Sequence, residues 1–166
     1  MQMAYLILII FYVYILFFAS KGHKIGKTVS DASGVDKKTA IRTGKILLMD
    51  DEAMIRALGD EMLSRIGFNA ELACDGAEAI ELYKNAMNSG QPFDAVILDL
   101  TIKKGLGGKA TVKALLEIDP HLKAIVSSGY SDDLVLTDSE KYGFCGSLSK
   151  PYTMKELTDI LTAVLR

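Results

Sequence analysis

Residues 93–108 read FDAVILDLTIKKGLGG, an apolar run that stops on a carboxylate and passes into a glycine-rich loop. The run Ala95-Val96-Ile97-Leu98 contains two β-branched residues, and it predicts a strand buried on both faces, as in a parallel sheet. Asp99 stands where this strand ends. Because ligands of open α/β sheets bind just outside the carboxyl ends of the strands, Asp99 is a candidate reactive group. A solvated turn aspartate is the alternative at this point.

From Lys45 onward, short apolar runs alternate with stretches of helical periodicity. The other predicted strands are 46–49, 70–74, 124–126 and 143–148. The predicted helices are 53–66, 75–88, 108–118, 133–142 and 153–165. Thr153 and Glu156 have the spacing of a capping box at the start of the last helix. Strict alternation of five strands and five helices predicts βαβ crossovers and a doubly wound, five-stranded parallel sheet.

The composition of the 166 residues is that of an ordinary globular protein, with a net charge of −2, 24% charged and 49% hydrophobic residues. This balance argues against disorder and against nucleic-acid binding through an excess of positive charge. Cys74 and Cys145 lie far apart in apolar contexts without metal-type spacing. They are predicted to be free, buried thiols in a reducing compartment.

The amino-terminal stretch 3–19, MAYLILIIFYVYILFFA, has no charge, glycine or proline, and Lys21, Lys24 and Lys27 follow it. We expect an apolar helix that forms a transmembrane anchor over 1–20, a basic flexible linker over 21–44 and a folded domain over 45–166. The positive-inside tendency predicts that this domain lies on the cytoplasmic face of the inner membrane. A cleaved signal peptide, or a wrongly chosen start codon or remnant of a longer gene, are the alternatives.

Polar side chains follow four of the predicted strands. Asp50 and Asp51 follow the first strand, Asp99 ends the third, Ser127 the fourth and Lys150 the fifth. Clustered carboxylates repel each other, so they either raise a pKa or bind a cation. Mg²⁺ prefers oxygen ligands and takes only a few of them from the protein, so such a cluster suits it. The pattern predicts phosphoryl transfer, in which one aspartate is the nucleophile and the ammonium and hydroxyl contact phosphoryl oxygens.

These residues resemble a known family. Asp50-Asp51-Glu52, the strand AVILDL around Asp99, VSSGY around Ser127 and SKP around Lys150 are similar to the receiver domain of bacterial two-component response regulators. The resemblance covers 45–166 and is greatest to receivers of hybrid sensor histidine kinases. It implies a flavodoxin-like (βα)5 fold.

The resemblance also implies the roles of the acidic residues. Asp99 would accept phosphate from a phosphohistidine on a sensor histidine kinase or a histidine phosphotransfer protein. Asp51, Asp99 and the main-chain carbonyl of Thr101 would bind Mg²⁺, with Asp50 helping through water. Such a protein is not an enzyme in the usual sense, because it catalyses only its own phosphorylation and dephosphorylation.

The remaining roles concern signalling. The resemblance implies that the Ser127 hydroxyl moves toward the phosphoryl group as a switch, that Lys150 pairs with that group, and that the Lys150–Pro151 peptide is cis. It also implies homodimers through the fourth helix and fifth strand. We expect a downstream protein partner that the sequence does not name and, from the balanced charge, no nucleic-acid partner.

Two positions depart from the family pattern. Lys103 occupies the usual position of a loop proline, and Ser147 that of an aromatic switch residue. We expect Lys103 and Lys104 to form a solvated loop face. Two other functions stay open: an Mg²⁺-dependent phosphatase or phosphotransferase that forms an aspartyl-phosphate, and a degenerate receiver that serves as a scaffold. The adjacent pair Asp50-Asp51 and the lack of room for a substrate cap argue against the first.

Overall fold

The computed structural model describes residues 44–129, 135 and 138–166. Their centre is a five-stranded parallel sheet in the order β2-β1-β3-β4-β5, which confirms the predicted flavodoxin-like α/β fold. The strands are β1 (Gly44–Met49), β2 (Phe68–Ala73), β3 (Ala95–Asp99), β4 (Ala124–Ser128) and β5 (Gly146–Ser149).

Four α-helices have both of their ends within the described residues and connect or follow the strands, and a short 3-10 helix, Ser139–Tyr142, precedes β5. The α-helices are α1 (Ala53–Ile66), α2 (Gly76–Asn88), α3 (Gly108–Ile118) and α4 (Met154–Val164). Four of the ten residues of the predicted helix 133–142, namely 133, 134, 136 and 137, lie outside the described part. Its last four residues form the 3-10 helix.

The predicted anchor with its apolar helix over 1–20, and the predicted linker up to residue 43, also lie outside the described residues. Gly44, the last residue of the predicted linker, is the first residue of β1. Within 44–129, 135 and 138–166, no helix has both the length and the apolar character needed to cross a membrane. The predicted domain boundaries therefore stay predictions.

The sheet is covered on both faces, as its apolar strands require. Side chains alternate along each strand, so each strand contributes to two cores. One core lies under α2 and α3 and includes Leu47, Val96 and Val126. The other lies under α1 and α4 and includes Leu48, Ile97 and Leu148. Burial of both faces of the central strands leaves only their ends for chemistry.

Several strand boundaries differ from the prediction, and the starts of β2 and β5 each follow a glycine that ends a helix. Gly67 ends α1 in the left-handed conformation with φ of 100°, so β2 begins at once with Phe68, which pairs with Gly44. Gly143 similarly ends the 3-10 helix, with φ of 88°. Phe144 then enters the core beneath α2 and α3, so β5 begins only at Gly146.

The prediction of buried thiols is wrong. Cys74 and Cys145 are free but exposed. Cys74 directly follows β2 and Cys145 directly precedes β5, which are the two edge strands of the sheet. Residues at the ends of edge strands have a neighbouring strand on one side only, so an apolar context in the sequence does not bury them there.

The starts of two helices, α2 and α4, are defined by side-chain caps. Thr153 and Glu156 form the predicted capping box of α4. Asp75 accepts hydrogen bonds from the N–H groups of Ala77 and Glu78 at the start of α2. These caps satisfy N–H groups that otherwise have no partner in the first helical turn.

Candidate functional site

The strand register brings the predicted polar residues to one edge of the sheet. Met49 pairs with Leu98, Asp99 with Ser127, and Ser128 with Ser149, so the next residues in β1 and β5 are Asp50 and Lys150. Side chains alternate along a strand, so residues two positions apart share a face. The residues two positions earlier all belong to the core under α1 and α4: Leu48, Ile97, Ile125 and Leu148. Asp50, Asp99, Ser127 and Lys150 therefore share that side of the sheet.

Three carboxylates form an acidic cluster, Asp50, Asp51 and Asp99, in which one oxygen of each lies within 4.8 Å of the others. Asp50 and Asp99 are almost completely buried, with 2% and 5% of their surface exposed, whereas Asp51 is half-buried. Burial raises the pKa of Asp99, the positive charge of Lys150 opposes this, and the negative charge of Asp50 adds to it. The cluster is a concentration of negative charge with little access to water.

Lys150 is the counter-charge of the buried pair. Its Nζ lies 2.5 Å from Asp50 Oδ2 and 3.1 Å from Asp99 Oδ2. Its main-chain N–H donates to the Ser128 carbonyl at 2.7 Å, which continues the β4–β5 pairing by one residue. The Lys150–Pro151 peptide is cis, as the resemblance implied.

The Ser127 hydroxyl differs from the buried carboxylates, which are paired with Lys150. Its Oγ is fully buried and has no hydrogen-bond partner within the described part of the chain. The backbone around it is well ordered by pairing, since the Ser127 carbonyl accepts from the Leu100 N–H at 2.9 Å. A buried hydroxyl without a partner is costly, so it requires an explanation.

The loop after β3 follows the cluster closely. Thr101 is exposed, and its N–H lies 3.4 Å from Asp99 Oδ1. Gly108 passes so near to β3 that a Cβ at this position would lie 2.6 Å from the Asp99 carbonyl oxygen. The glycines of the loop thus let α3 begin directly beside Asp99.

The contacts of two residues with the cluster, Arg56 and Lys103, were missed by the sequence reasoning. Arg56 Nη1 donates to the Asp50 carbonyl at 2.6 Å. Lys103 donates its main-chain N–H to Asp51 Oδ2 at 3.3 Å, and its Nζ lies 3.2 Å from Glu52 Oε1. Lys103 is exposed as predicted, but it is paired: the hydrogen bond to Glu52 and the charges of Glu52 and Asp51 raise its pKa. Arg56 lies one helical turn after Glu52, a spacing that could have identified it.

Ser147 stands where the family usually has an aromatic switch residue, and the structure shows the surroundings of this serine and of the aromatic residues that could replace it. Ser147 is exposed, and Phe144 is packed in the core. Tyr142 is exposed beneath the Lys109 ammonium, which lies 4.6 Å from its ring centroid, and Tyr130 lies outside the described residues. Tyr152 is half-buried, and burial with the charges of Asp50 and Asp99 raises its pKa to about 12.

An edge with three carboxylates, a lysine and a hydroxyl that lacks a partner among the described residues suits the handling of a phosphoryl group, and comparison with known proteins agrees with this chemistry. The family model of the response regulator receiver domain matches residues 46–162. The chain belongs to this family. A receiver domain is a module of two-component phosphorelay signalling, and the present chain is one. Receiver domains bind Mg²⁺ at an acidic pocket and interact with histidine kinases or phosphotransfer proteins.

Similarity to individual proteins is consistent with membership of this family. Sporulation initiation phosphotransferase F of Bacillus subtilis is 27% identical over 73% of this chain and 93% of its own length. Sensor kinase CckA of Brucella abortus is 29% identical over 89% of this chain and 14% of its own. A chain of the CheX–CheY–BeF3–Mg²⁺ complex from Borrelia burgdorferi superposes with a TM-score of 0.68 at 25% identity, covering 80% of this chain and 96% of that one.

Proposed function

We propose that this receiver accepts a phosphoryl group on Asp99 from the phosphohistidine of a histidine kinase or a histidine phosphotransfer protein. The observation that carries the proposal is the buried Ser127 hydroxyl, which has no partner among the described residues and pairs in register with Asp99. A hydroxyl donor and the Lys150 ammonium at the same strand ends are the groups that phosphoryl oxygens require.

Mg²⁺ fits the donor set. Asp50, Asp51 and Asp99 offer carboxylate oxygens within 4.8 Å of one another, and Mg²⁺ prefers few carboxylates together with a phosphate oxygen. We propose Asp51, Asp99 and the Thr101 carbonyl as direct ligands, with Asp50 acting through water. When bound, Mg²⁺ supplies positive charge to the phosphoryl oxygens. A related CheY complex contains Mg²⁺, which supports this assignment.

The bonds that form and break in the transfer belong to Asp99 and the donor. An Asp99 oxygen attacks phosphorus, the new P–O bond forms and the P–N bond of the phosphohistidine breaks. The imidazole leaves with the electron pair of that bond. Lys150 already lies 3.1 Å from Asp99 Oδ2, so its ammonium is available to the added oxygens without large movement.

The conformational switch follows from the Ser127 hydroxyl, whose hydrogen bonding differs before and after phosphoryl transfer. Before transfer, the buried Ser127 Oγ has no acceptor among the described residues. After transfer, the added phosphoryl oxygens provide one, so Ser127 and the end of β4 gain a stabilising hydrogen bond only in the phosphorylated state. A difference in interaction energy between two states is what a ligand-driven shift requires.

The test is phosphorylation of the full chain with acetyl phosphate and Mg²⁺, followed by intact mass measurement. We expect one added phosphate that is lost in Asp99→Asn, because the amide is not a nucleophile. Asp94→Asn is a matched control on an exposed aspartate five residues earlier, and it should retain the adduct.

The other outcomes are equally informative. No adduct, combined with no Mg²⁺ binding, contradicts the proposal and favours a scaffold. Steady release of phosphate over many turnovers favours a phosphatase or phosphotransferase that uses an aspartyl-phosphate.

A further inference from the structure

The loop after β3 carries a lysine at a position beside the acidic cluster, and this lysine contacts two consecutive acidic residues. Its main-chain N–H donates to Asp51 Oδ2 at 3.3 Å. Its Nζ lies 3.2 Å from Glu52 Oε1. Lys103 therefore connects the β3–α3 loop to the β1–α1 loop, across 51 residues of sequence.

The contact to Asp51 requires only that the residue is not proline, whereas the contact to Glu52 requires a lysine-like charge. A proline at this position would have no N–H for Asp51 and no charge for Glu52. The contact to Asp51 uses the main chain, so it positions the lysine beside that carboxylate even when the side chain moves. The ammonium and its partner are largely exposed, with 72% and 57% of their side-chain surfaces accessible, so this ion pair contributes little to folding stability.

We propose that Lys103 is a built-in competitor of the divalent cation, a positioning residue that occupies Asp51 and partly neutralises the acidic cluster until the metal binds. This inference rests on the receiver function proposed above. A cation that binds at Asp51 finds a carboxylate that already accepts a hydrogen bond. The cation is also repelled by the Lys103 ammonium, which is paired with the neighbouring Glu52. Removal of that charge should strengthen metal binding.

The magnitude follows from charge–charge repulsion at an exposed position. A unit charge and a divalent ion several ångströms apart in high dielectric repel modestly, and salt screens this repulsion. We expect Lys103→Gln to bind Mg²⁺ about threefold more tightly than the wild type at low ionic strength. At high ionic strength the difference should nearly vanish.

The experiment is calorimetric titration of Mg²⁺ into the full chain, in low and in high NaCl. Lys103→Arg keeps the charge and should bind as the wild type does. Lys104→Gln removes the same charge one residue along, from an exposed lysine that has no ion pair within the described ranges, and should change the affinity less. Melting temperatures without metal should be nearly equal, because the pair is exposed.

Each result has a distinct meaning. An unchanged or weaker affinity in Lys103→Gln, or an equal gain in Lys104→Gln, overturns the role of Lys103 while the metal site stands. A wild type that binds no Mg²⁺ overturns the metal site, and this inference with it.

Discussion

Two parts of the same sheet edge behave in opposite ways. At the ends of β1, β3 and β5, the buried carboxylates Asp50 and Asp99 share the Lys150 ammonium, so each buried charge has a partner. At the end of β4, the Ser127 hydroxyl is equally buried and has none among the described residues. Both parts have the same backbone environment, since Asp99 and Ser127 are register partners.

The difference separates two functions of buried polar groups. The charged part is stabilised in the present state, because unpaired buried charges are far too costly to leave. The hydroxyl can stay unpaired, because its desolvation costs only about 1–3 kcal/mol. A switch needs one group whose interaction is made later. The neutral group can serve as that group at a small cost.

The largest expected effect breaks the charged part. Lys150→Met leaves Asp50 and Asp99 buried without a counter-charge, so we expect the free energy of unfolding to fall by about 3 kcal/mol. Urea unfolding at neutral pH without metal measures it. Lys155→Met is the matched control, because its pair with Asp159 is 83% and 62% exposed and should contribute less than about 1 kcal/mol. Equal losses in the two variants would contradict the assigned difference.

A smaller effect concerns pH. The pKa of Asp99 is raised in the folded chain, chiefly by burial, so the folded state holds this proton more tightly than the unfolded state does. The corresponding stability is complete below the ordinary aspartate pKa of about 4 and is lost as pH rises through the raised pKa. In Asp99→Asn, the side chain at position 99 does not titrate between pH 4 and pH 7. Its stability relative to the wild type should therefore rise between pH 4 and pH 7, as measured by urea unfolding without metal. A constant or falling difference would contradict the direction of the shift.

The smallest expected effect sharpens the comparison at β4. Ser127→Ala removes a hydroxyl that has no hydrogen-bond partner in the described part of the chain, so the free energy of unfolding should stay within about 0.5 kcal/mol of the wild type or rise. Thr111→Val is the contrasting variant, because the buried Thr111 hydroxyl donates to the Gly107 carbonyl at 2.9 Å, and its loss should cost about 1 kcal/mol. Chemical denaturation of both variants, with and without phosphorylation, is the measurement. A large loss in unphosphorylated Ser127→Ala would show that its hydroxyl already has a partner.

Much of the fold could be predicted because its signals are local. The helix 53–66 was predicted at its observed bounds, since its apolar period is interrupted by Gly67. The helix 108–118 was also predicted at its observed bounds, since Asp119-Pro120 follows it. The starts of β2 and β5 were missed because, beyond the glycines that end the preceding helices, they depend on where Phe68 and Phe144 pack, and packing partners are distant in sequence.

The candidate site divides in the same way. Strand ends identify Asp50, Asp99, Ser127 and Lys150, because parallel strands bring their carboxyl ends to one edge. The contact of Lys103 with Glu52 could not be predicted from strand ends, because both side chains are exposed and no periodicity links residues 51 positions apart. Nor could the sequence distinguish the buried Asp50 from the half-buried Asp51.

Local order and chemistry therefore follow from the sequence of this receiver: the alternation of strands and helices, the glycine stops, the caps and the polar residues at the strand ends. These depend on backbone preferences and short-range hydrogen bonds within a few residues. Tertiary structure alone decides that Lys150 reaches Asp50, 100 residues away, and that the hydroxyl of Ser127 is left without a partner among the described residues. The reason is that strand order and packing against the helices, which no local pattern encodes, determine which side chains meet.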